Sequence, residues 1–124
     1  MSRIRGRDTQ PEMVVRSLLH RLGFRFRVHV SGLPGKPDIT LPRFKTVIFV
    51  HGCFWHHHAH CRNANYPDTR AKFWHDKIDG TVARDQQKQR QLRRLGWRVI
   101  TVWECQLSNP DEVANRFLRL LRKR

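Results

Sequence analysis

The sequence lacks any long apolar run, and this absence excludes a membrane-spanning protein. No stretch of the 124 residues approaches the roughly 18 consecutive apolar residues of a transmembrane helix, and the first residues lead into no apolar signal segment. The length suits one domain around one core, without an internal repeat or a linker. We therefore expect a single soluble domain that works in the cytoplasm and has no membrane partner.

Cysteine is scarce, and its distribution excludes a disulfide framework. The three cysteines cannot all pair with one another, and two of them, Cys53 and Cys61, lie among histidines. Five of the eight histidines fall between residues 51 and 60. In a reducing compartment, this concentration of thiols and imidazoles indicates metal ligation.

Acidic residues are few beside the basic ones. The chain has 25 lysine and arginine residues against 10 aspartate and glutamate residues, which gives a formal net charge of +15. A field of this sign attracts a polyanion and lets binding release condensed counterions, so nucleic acid is the first partner to consider. Basic charge alone also suits an anionic membrane surface or a ribosomal protein, and only sharper motifs can separate these classes.

Hydrophobic periodicity and turn residues predict the order α-β-β-β-α-β-α. The predicted elements are a helix over 9–22 that opens with a capping box, strands over 24–30, 39–41 and 45–50, a helix over 69–95, a strand over 97–103 and a helix over 110–121. Gly80 is a candidate bend or break in the second helix. Because a long helical crossover between two apolar strands favours parallel pairing, the expected fold class is α/β, with a mixed central sheet flanked by helices.

The cysteines and histidines predict a structural zinc site. A closed zinc site takes four tetrahedral sulfur or nitrogen ligands, and a loop that supplies three of them with a strand end that supplies the fourth would pin the loop to the sheet. The chosen ligands are Cys53, His58, Cys61 and Cys105, and His60 is an alternative to His58. The competing interpretation is a histidine-rich surface loop with three unrelated buried thiols.

An aspartate after a glycine-rich turn indicates a second, catalytic metal. Asp38 follows Pro37 and begins a short strand, so its carboxylate would lie at the rim of the sheet, where a divalent ion could bridge it to a scissile phosphate. Glu12 on the first helix supplies a further carboxylate. The ordinary interpretations are that Asp38 only stabilises a turn and that Glu12 only completes the capping box.

Several sequence blocks then occur in one order along the chain. They are Leu33–Asp38, Val47–His56, Phe73–Trp74, Leu95–Val99 and Trp103–Cys105. In this order they resemble the very-short-patch-repair (Vsr) DNA mismatch endonucleases, and the resemblance runs from roughly Met1 to Leu107. The resemblance implies a variant of the PD-(D/E)xK nuclease fold that nicks one DNA strand at a T:G mismatch with magnesium, and that holds a structural zinc apart from the cut site.

The same resemblance implies roles for individual residues of the cut site. Asp38 would be the carboxylate ligand of magnesium, and the Val50 backbone carbonyl would also hold the ion. One member of the family has threonine at the position of Val50, so valine keeps the carbonyl and loses a hydroxyl. His51 would contact the phosphate or its metal-bound water, at a position where other nucleases of the superfamily have lysine.

His56 would be the general base for the attacking water, and Asp85 its orienting carboxylate. Glu12 occupies the first-helix acid position of the superfamily, although its place in the capping box explains it equally well. His29, His57 and His75 receive no role from the motifs.

The resemblance also implies how the DNA is bound. Phe54, Trp55 and Trp74 would wedge into the base stack at the mismatch, whereas an ordinary core position is the alternative for Trp74. The basic residues of Arg84–Arg98 and Arg116–Arg124 would grip the backbone without reading its sequence. Members of the family carry a further basic segment ahead of the stretch that matches Met1 to Gly6, and we expect this difference to alter DNA affinity or mismatch preference.

Taken together, the motifs predict one endonuclease domain over 1–124. Its parts are a first-helix region (9–22), the sheet and active site (24–56), a zinc loop (53–61) and two basic helices (69–95 and 110–123). The expected protein is a bacterial, nucleoid-associated monomer that acts on double-stranded DNA with a T:G mismatch, together with mismatch-repair helper proteins. Two alternatives stay open: a restriction-type or structure-specific nuclease of the same fold, and a non-catalytic, zinc-stabilised DNA-binding module.

Overall fold

The computed structural model describes residues 9–53 and 71–121, and its helices and strands occur in the predicted order. The helices are α1 (Gln10–Arg21), α2 (Ala71–Arg94) and α3 (Pro110–Leu121). The strands are β1 (Arg27–Val28), β2 (Ile39–Leu41), β3 (Thr46–His51) and β4 (Arg98–Trp103), and short 3-10 helices span Pro42–Phe44 and Glu104–Ser108.

The sheet is mixed, as predicted. The four strands in the described part of the chain lie in the order β1-β2-β3-β4. β2 pairs antiparallel with both β1 and β3, and β3 pairs parallel with β4. The parallel pair is the one joined through α2, because a parallel connection has to cross back over the sheet. In this register Ile39 lies opposite Ile48, and His51 lies opposite Trp103.

The first predicted strand is shorter than its alternating sequence indicated. Only Arg27 and Val28 join the sheet, opposite Thr40 and Ile39, so the predicted span 24–30 is wrong in length. β1 is an edge strand, and it can pair only with a neighbour that is itself three residues long. His29 then adopts a left-handed backbone conformation with φ of 57°, which turns the chain out of the sheet.

The helices begin and end close to the predicted positions. Thr9 caps α1, and a complete capping box with Glu12 is present. α2 is one continuous helix of 24 residues with Gly80 inside it, so the predicted interruption there is wrong. Within the described parts of the chain, no helix combines the length and the apolar character that crossing a bilayer requires.

The two faces of the sheet are covered by different helices. The larger core lies on the face covered by α1 and α3, and its fully buried members include Leu19, Ile48, Val102 and Phe117. The opposite face carries a smaller cluster of Val47, Phe49 and Leu92, in which Leu92 belongs to α2. Alternate residues of β3 therefore point to opposite sides, which is the period expected of a strand buried on both faces.

Two arginines attach α3 to β4. Arg116 donates from Nη1 to the carbonyl oxygen of Thr101 at 2.9 Å, and Arg98 of β4 donates to the carbonyl oxygen of Leu120. Burial lowers the pKa of Arg116, and the nearby charge of Arg119 lowers it further. Both arginines are thus held by main-chain acceptors.

The loop ahead of β2 packs directly against α2 at Gly35. The residue has a φ of 76°, and a Cβ placed on it would lie 2.9 Å from Cβ of Lys88 and 3.3 Å from the ring of Phe49. Cβ of Lys88 cannot swing aside without moving the helix. This contact fixes how closely the loop that leads to Asp38 approaches α2.

We predict that Gly35→Ala destabilises the fold more than Gly32→Ala does. Gly32 also has a positive φ, of 90°, but a Cβ there meets nothing within 4 Å. Gly32→Ala should therefore cost only the conformational strain, about 1 kcal/mol, whereas Gly35→Ala should cost about 2 kcal/mol more because it overpacks the contact with α2. Urea unfolding of both variants measures the difference, and equal losses would contradict the role of the contact.

Candidate active site

One end of the sheet brings together residues that are far apart in sequence. Because β2 runs antiparallel to β3, the start of β2 lies beside the end of β3, and the parallel strand β4 ends there as well. Asp38 immediately precedes β2, His51 is the last residue of β3, and Trp103 is the last residue of β4. The strand directions alone therefore collect these three residues at one edge.

Asp38 is held in place by the backbone of β3. The Val50 N–H donates to Oδ2 of the half-buried Asp38 carboxylate at 2.7 Å. In the register of β2 and β3, the strand partner of Val50 would be Pro37, which has no N–H to donate. The β2–β3 ladder thus stops at this point, and no β2 amide is available to the Val50 carbonyl.

His51 lies in an aromatic slot. His51 is only 5% exposed. The centroid of its ring lies 5.1 Å from that of Trp103 and 5.7 Å from that of Phe49. The contact with Trp103 is edge-on, with an interplanar angle of 77°. The flanking rings restrict the orientation of the imidazole at the end of β3.

Asp85 occupies an unusual position on α2. It lies seven residues from both Ile78 and Leu92, which are fully buried, so it belongs to the helix stripe that faces the sheet. Gln89, one turn further on, donates from Nε2 to Oγ1 of Thr101 in β4 at 3.5 Å. Asp85 itself is half-buried on this stripe.

Glu12 completes the capping box and also lines a cavity. Its Oε1 accepts two hydrogen bonds from Thr9, one from the backbone nitrogen at 3.5 Å and one from Oγ1 at 3.2 Å. Its Oε2 lies 3.4 Å from Nη2 of Arg16. Glu12 is 3% exposed, yet it lines a cavity of about 540 Å³ together with Asp38. The capping box is confirmed, and the same residue lines the cavity that contains Asp38.

The oxygen donors at this edge suit a hard cation. Carboxylate and backbone carbonyl oxygens are the ligands that magnesium prefers, and the fixed carboxylate of Asp38 and the Val50 carbonyl supply one of each. Among residues 9–53 and 71–121, no three histidine, cysteine, aspartate or glutamate side chains form a metal-binding group. Among the described residues, Asp38 and the main-chain carbonyl of Val50 are the groups that could hold magnesium here.

The two predicted zinc ligands that the structure describes follow the ends of neighbouring strands. Cys53 comes two residues after the end of β3 and is fully buried, and Cys105 comes two residues after the end of β4 and is half-buried. Since His51 and Trp103 are register partners, both cysteines follow the same edge of the sheet. The other predicted ligands, His58 and Cys61, and the alternative His60 lie outside the described residues.

The predicted DNA wedge is described only in part. Trp74 is half-buried on α2, and its ring stacks edge-on against Phe73, which is 44% exposed, at a centroid distance of 5.1 Å. Phe54, Trp55 and His56 lie outside the described residues.

Sequence reasoning assigned no role to two residues that line the cavity. His29 and Lys36 are exposed, and both line the cavity that contains Glu12 and Asp38. Lys36 lies in the sequence block Leu33–Asp38, so its position two residues before Asp38 could have identified it as a candidate site residue. His29 carried none, because only the turn that follows β1 brings it back towards α1.

The sequence matches a known family and several of its relatives. The profile of the family described as DNA mismatch endonuclease Vsr matches residues 1–63. The type II nicking enzyme V.XorIIP of Xanthomonas oryzae pv. oryzae is 47% identical over 121 residues, which cover 98% of this chain and 88% of that enzyme. The DNA mismatch endonuclease Vsr of Escherichia coli is 45% identical over 118 residues, which cover 95% of this chain and 75% of that enzyme.

A solved structure is similar in fold. The catalytic domain of the homing endonuclease I-Bth0305I aligns with a TM-score of 0.63 over 91% of this chain and 94% of that domain, at 21% sequence identity. At this identity the similarity concerns the fold alone. It agrees with the expected α/β class with a mixed sheet.

We predict that two substitutions separate the capping role of Glu12 from its role in the site. Thr9→Ala breaks the capping box but keeps the carboxylate, so it should lower the free energy of unfolding by about 1 kcal/mol and leave magnesium affinity unchanged. Glu12→Gln keeps a side chain that can close the box but removes the charge, so it should weaken magnesium binding. Urea unfolding and calorimetric titration with magnesium chloride measure the two effects. If both variants bind magnesium equally well, Glu12 acts only as a cap.

Proposed function

The chain belongs to the Vsr family of DNA mismatch endonucleases, and from this membership we propose that it nicks one strand of duplex DNA at a T:G mismatch, with magnesium at the cut site. It is a DNA-nicking endonuclease of mismatch repair. The observation that carries the detailed proposal is the hydrogen bond from the Val50 N–H to Asp38, which anchors a carboxylate at the sheet edge where β3 ends in His51.

The proposed metal ligands are Asp38 and the backbone carbonyl of Val50. When bound, magnesium would neutralise charge that builds up on the phosphate during cleavage. Asp38 is supported in this role by its fixed position, and Val50 by the proline that leaves its carbonyl without a β2 donor. Because a backbone oxygen needs no particular side chain, valine serves as well as threonine here.

The proposed chemistry is hydrolysis of one phosphodiester bond. A water oxygen attacks phosphorus, the bond from phosphorus to the 3' oxygen breaks, and the products carry a 5' phosphate and a 3' hydroxyl. His56 would accept the proton of the attacking water, and Asp85 would orient its imidazole. Asp85 is supported by its place on the sheet-facing stripe of α2, between Ile78 and Leu92.

His51 is proposed to bind the scissile phosphate. A ring N–H of an imidazole can donate to a phosphate oxygen, and the contacts with Phe49 and Trp103 limit the directions in which this ring can point. A donor that is already oriented loses little freedom when the substrate binds. The imidazole of His51, restricted by these two rings, would therefore position the phosphate better than a flexible lysine side chain would.

Recognition of the mismatch is proposed to involve Phe54, Trp55 and Trp74. Aromatic side chains that wedge between base pairs unstack them, and a mispaired step is easier to open than a matched one. The exposed face of α2 is basic, and its exposed cations include Lys77, Arg84, Arg90, Arg93 and Arg94. These cations would contact the backbone phosphates and supply affinity without sequence preference.

A structural zinc ion is proposed apart from the cut site. Cys53, His58, Cys61 and Cys105 would hold it, with His60 as the alternative to His58. The thiols of Cys53 and Cys105 follow the same edge of the sheet, which supports a shared ligand for both strand ends. The proposed setting of the enzyme is the bacterial cytoplasm, at the nucleoid, as a monomer that works with mismatch-repair helper proteins.

We predict that magnesium-dependent nicking requires a T:G mismatch and the proposed catalytic residues. Labelled homoduplex and T:G duplex are incubated with magnesium or EDTA, and the nicked strand is resolved by denaturing electrophoresis. Asp38→Asn should remove the charge while its amide oxygen still accepts from the Val50 N–H, and His56→Ala should remove the base. Each variant should lose activity by about 100-fold or more.

Glu112→Gln is the matched control, because it removes an exposed carboxylate of α3 outside the lining of the cavity. It should nick like the wild type. Equal cutting of homoduplex and mismatch would favour a restriction-type or structure-specific nuclease. Absence of cutting with intact DNA binding would favour a non-catalytic binding module.

We predict that the purified protein contains zinc and needs it to fold. Elemental analysis should find about one zinc ion per chain, and stripping zinc with a chelator should unfold the domain, because a structural metal site contributes folding free energy. Cys105→Ala should lower both the zinc content and the thermal unfolding midpoint. A native circular dichroism spectrum after verified loss of zinc would argue against the site.

The neighbouring histidines provide the controls for this experiment. His57→Ala removes a histidine of the same loop that has no assigned ligand role, so zinc content should not change. His58→Ala and His60→Ala then decide which of the two binds zinc. Full zinc content in both variants, and in Cys105→Ala, would favour the alternative of a histidine-rich loop with unrelated thiols.

A further inference from the structure

The cavity beside Asp38 is lined in part by two exposed residues that carry nitrogen donors, His29 and Lys36. It measures about 540 Å³ and lies between the first turn of α1, which supplies Glu12, and the loop that leads from β1 to β2. His29 and Lys36 line it together with Glu12 and Asp38. Both carboxylates have donors close by: Glu12 has Arg16 at 3.4 Å, and Asp38 has the Val50 N–H at 2.7 Å.

The backbone at His29 and at Lys36 is in an uncommon conformation. Within residues 9–53 and 71–121, the non-glycine residues with positive φ are His29 at 57°, Lys36 at 47° and Lys45 at 51°. The Lys45 N–H closes the 3-10 turn onto the Pro42 carbonyl, and its ammonium lies 4.7 Å from the centroid of the Trp97 ring. His29 and Lys36 instead lie in the lining of the cavity that contains Asp38.

Left-handed positions usually carry glycine, because a Cβ is strained there. A side chain that persists at such a position suggests that the side chain is used, and two at one cavity suggest a shared ligand. The imidazole N–H and the ammonium group are both hydrogen-bond donors, and together they match an anionic oxygen ligand.

From this placement we propose that His29 and Lys36 form a subsite for a backbone phosphate of the nicked strand, next to the phosphate that is cut. The proposal rests on the proposed function, since it takes Asp38 as the metal ligand of the cut site. Successive phosphates are one nucleotide apart, so a strand whose scissile phosphate lies at Asp38 has a neighbouring phosphate within reach of the same cavity. His29 and Lys36 act as positioning residues, because they contact a phosphate that does not react.

The test measures energetic coupling between these side chains and single phosphates. T:G duplexes are prepared in which one phosphate at a time, within three nucleotides of the nick, is replaced by a neutral methylphosphonate. Binding is measured in EDTA by fluorescence anisotropy, so that neither magnesium nor cleavage contributes. The protein variants are the wild type and the double variant His29→Gly with Lys36→Gly.

Glycine is the chosen replacement because it accepts positive φ without strain, so the double variant should fold and its thermal midpoint should not fall. At one flanking position, the methylphosphonate should raise the Kd of the wild type about tenfold and that of the double variant by less than about twofold. Arg43→Ala is the matched control. It removes an exposed cation of the 3-10 helix at a different surface pocket, and it should keep the full tenfold effect.

Each outcome decides the proposal. If every methylphosphonate weakens the wild type and the double variant by the same factor, the subsite does not exist. If Arg43→Ala abolishes the methylphosphonate effect on Kd as completely as the glycine variant does, the effect reflects the general charge of the protein, and the subsite is again refuted. Coupling at one position in a protein that fails to nick with magnesium would refute the proposed function and the place of the subsite beside a cut phosphate, and only the contact with a phosphate would stand.

Discussion

The hydrogen bond from the Val50 amide to the Asp38 carboxylate is the contact on which the candidate active site depends. It forms where the β2–β3 ladder ends, because Pro37 has no N–H with which to continue the pairing. The carboxylate of the next residue takes over as partner of the Val50 amide. Asp38 is therefore positioned by the sheet itself, and the adjacent main-chain carbonyl is left at the edge for a different partner.

The rest of the architecture brings other groups to that edge. The parallel pairing of β4 with β3 places Trp103 opposite His51 and directs both following cysteines to the same side. The crossover through α2 that makes this pairing possible also carries Asp85 across the sheet on its inner stripe. One topological feature, a helical connection between parallel strands, thus serves both the smaller buried cluster and the proposed catalytic groups.

Charge is distributed unevenly over the molecule in a way that suits a nuclease. The chain has 10 acidic residues against 25 basic ones, yet two of the acids, Glu12 and Asp38, share the wall of one cavity. An excess of cations attracts the DNA backbone, whereas concentrated oxygen donors attract a divalent ion. The two requirements are compatible because the carboxylates are held locally, by Arg16 and by a backbone amide.

Sequence alone determined the order of elements, the mixed sheet and the family, because these depend on local periodicity and on motif blocks whose residues are close in the chain. It overestimated β1, since the length of an edge strand depends on its partner. It could not decide whether Glu12 is a cap or a site residue, and it gave no role to His29. Only the tertiary structure showed that Glu12 of α1 and the loop residues His29 and Asp38 line one cavity, because proximity between distant segments is set by packing and not by sequence spacing.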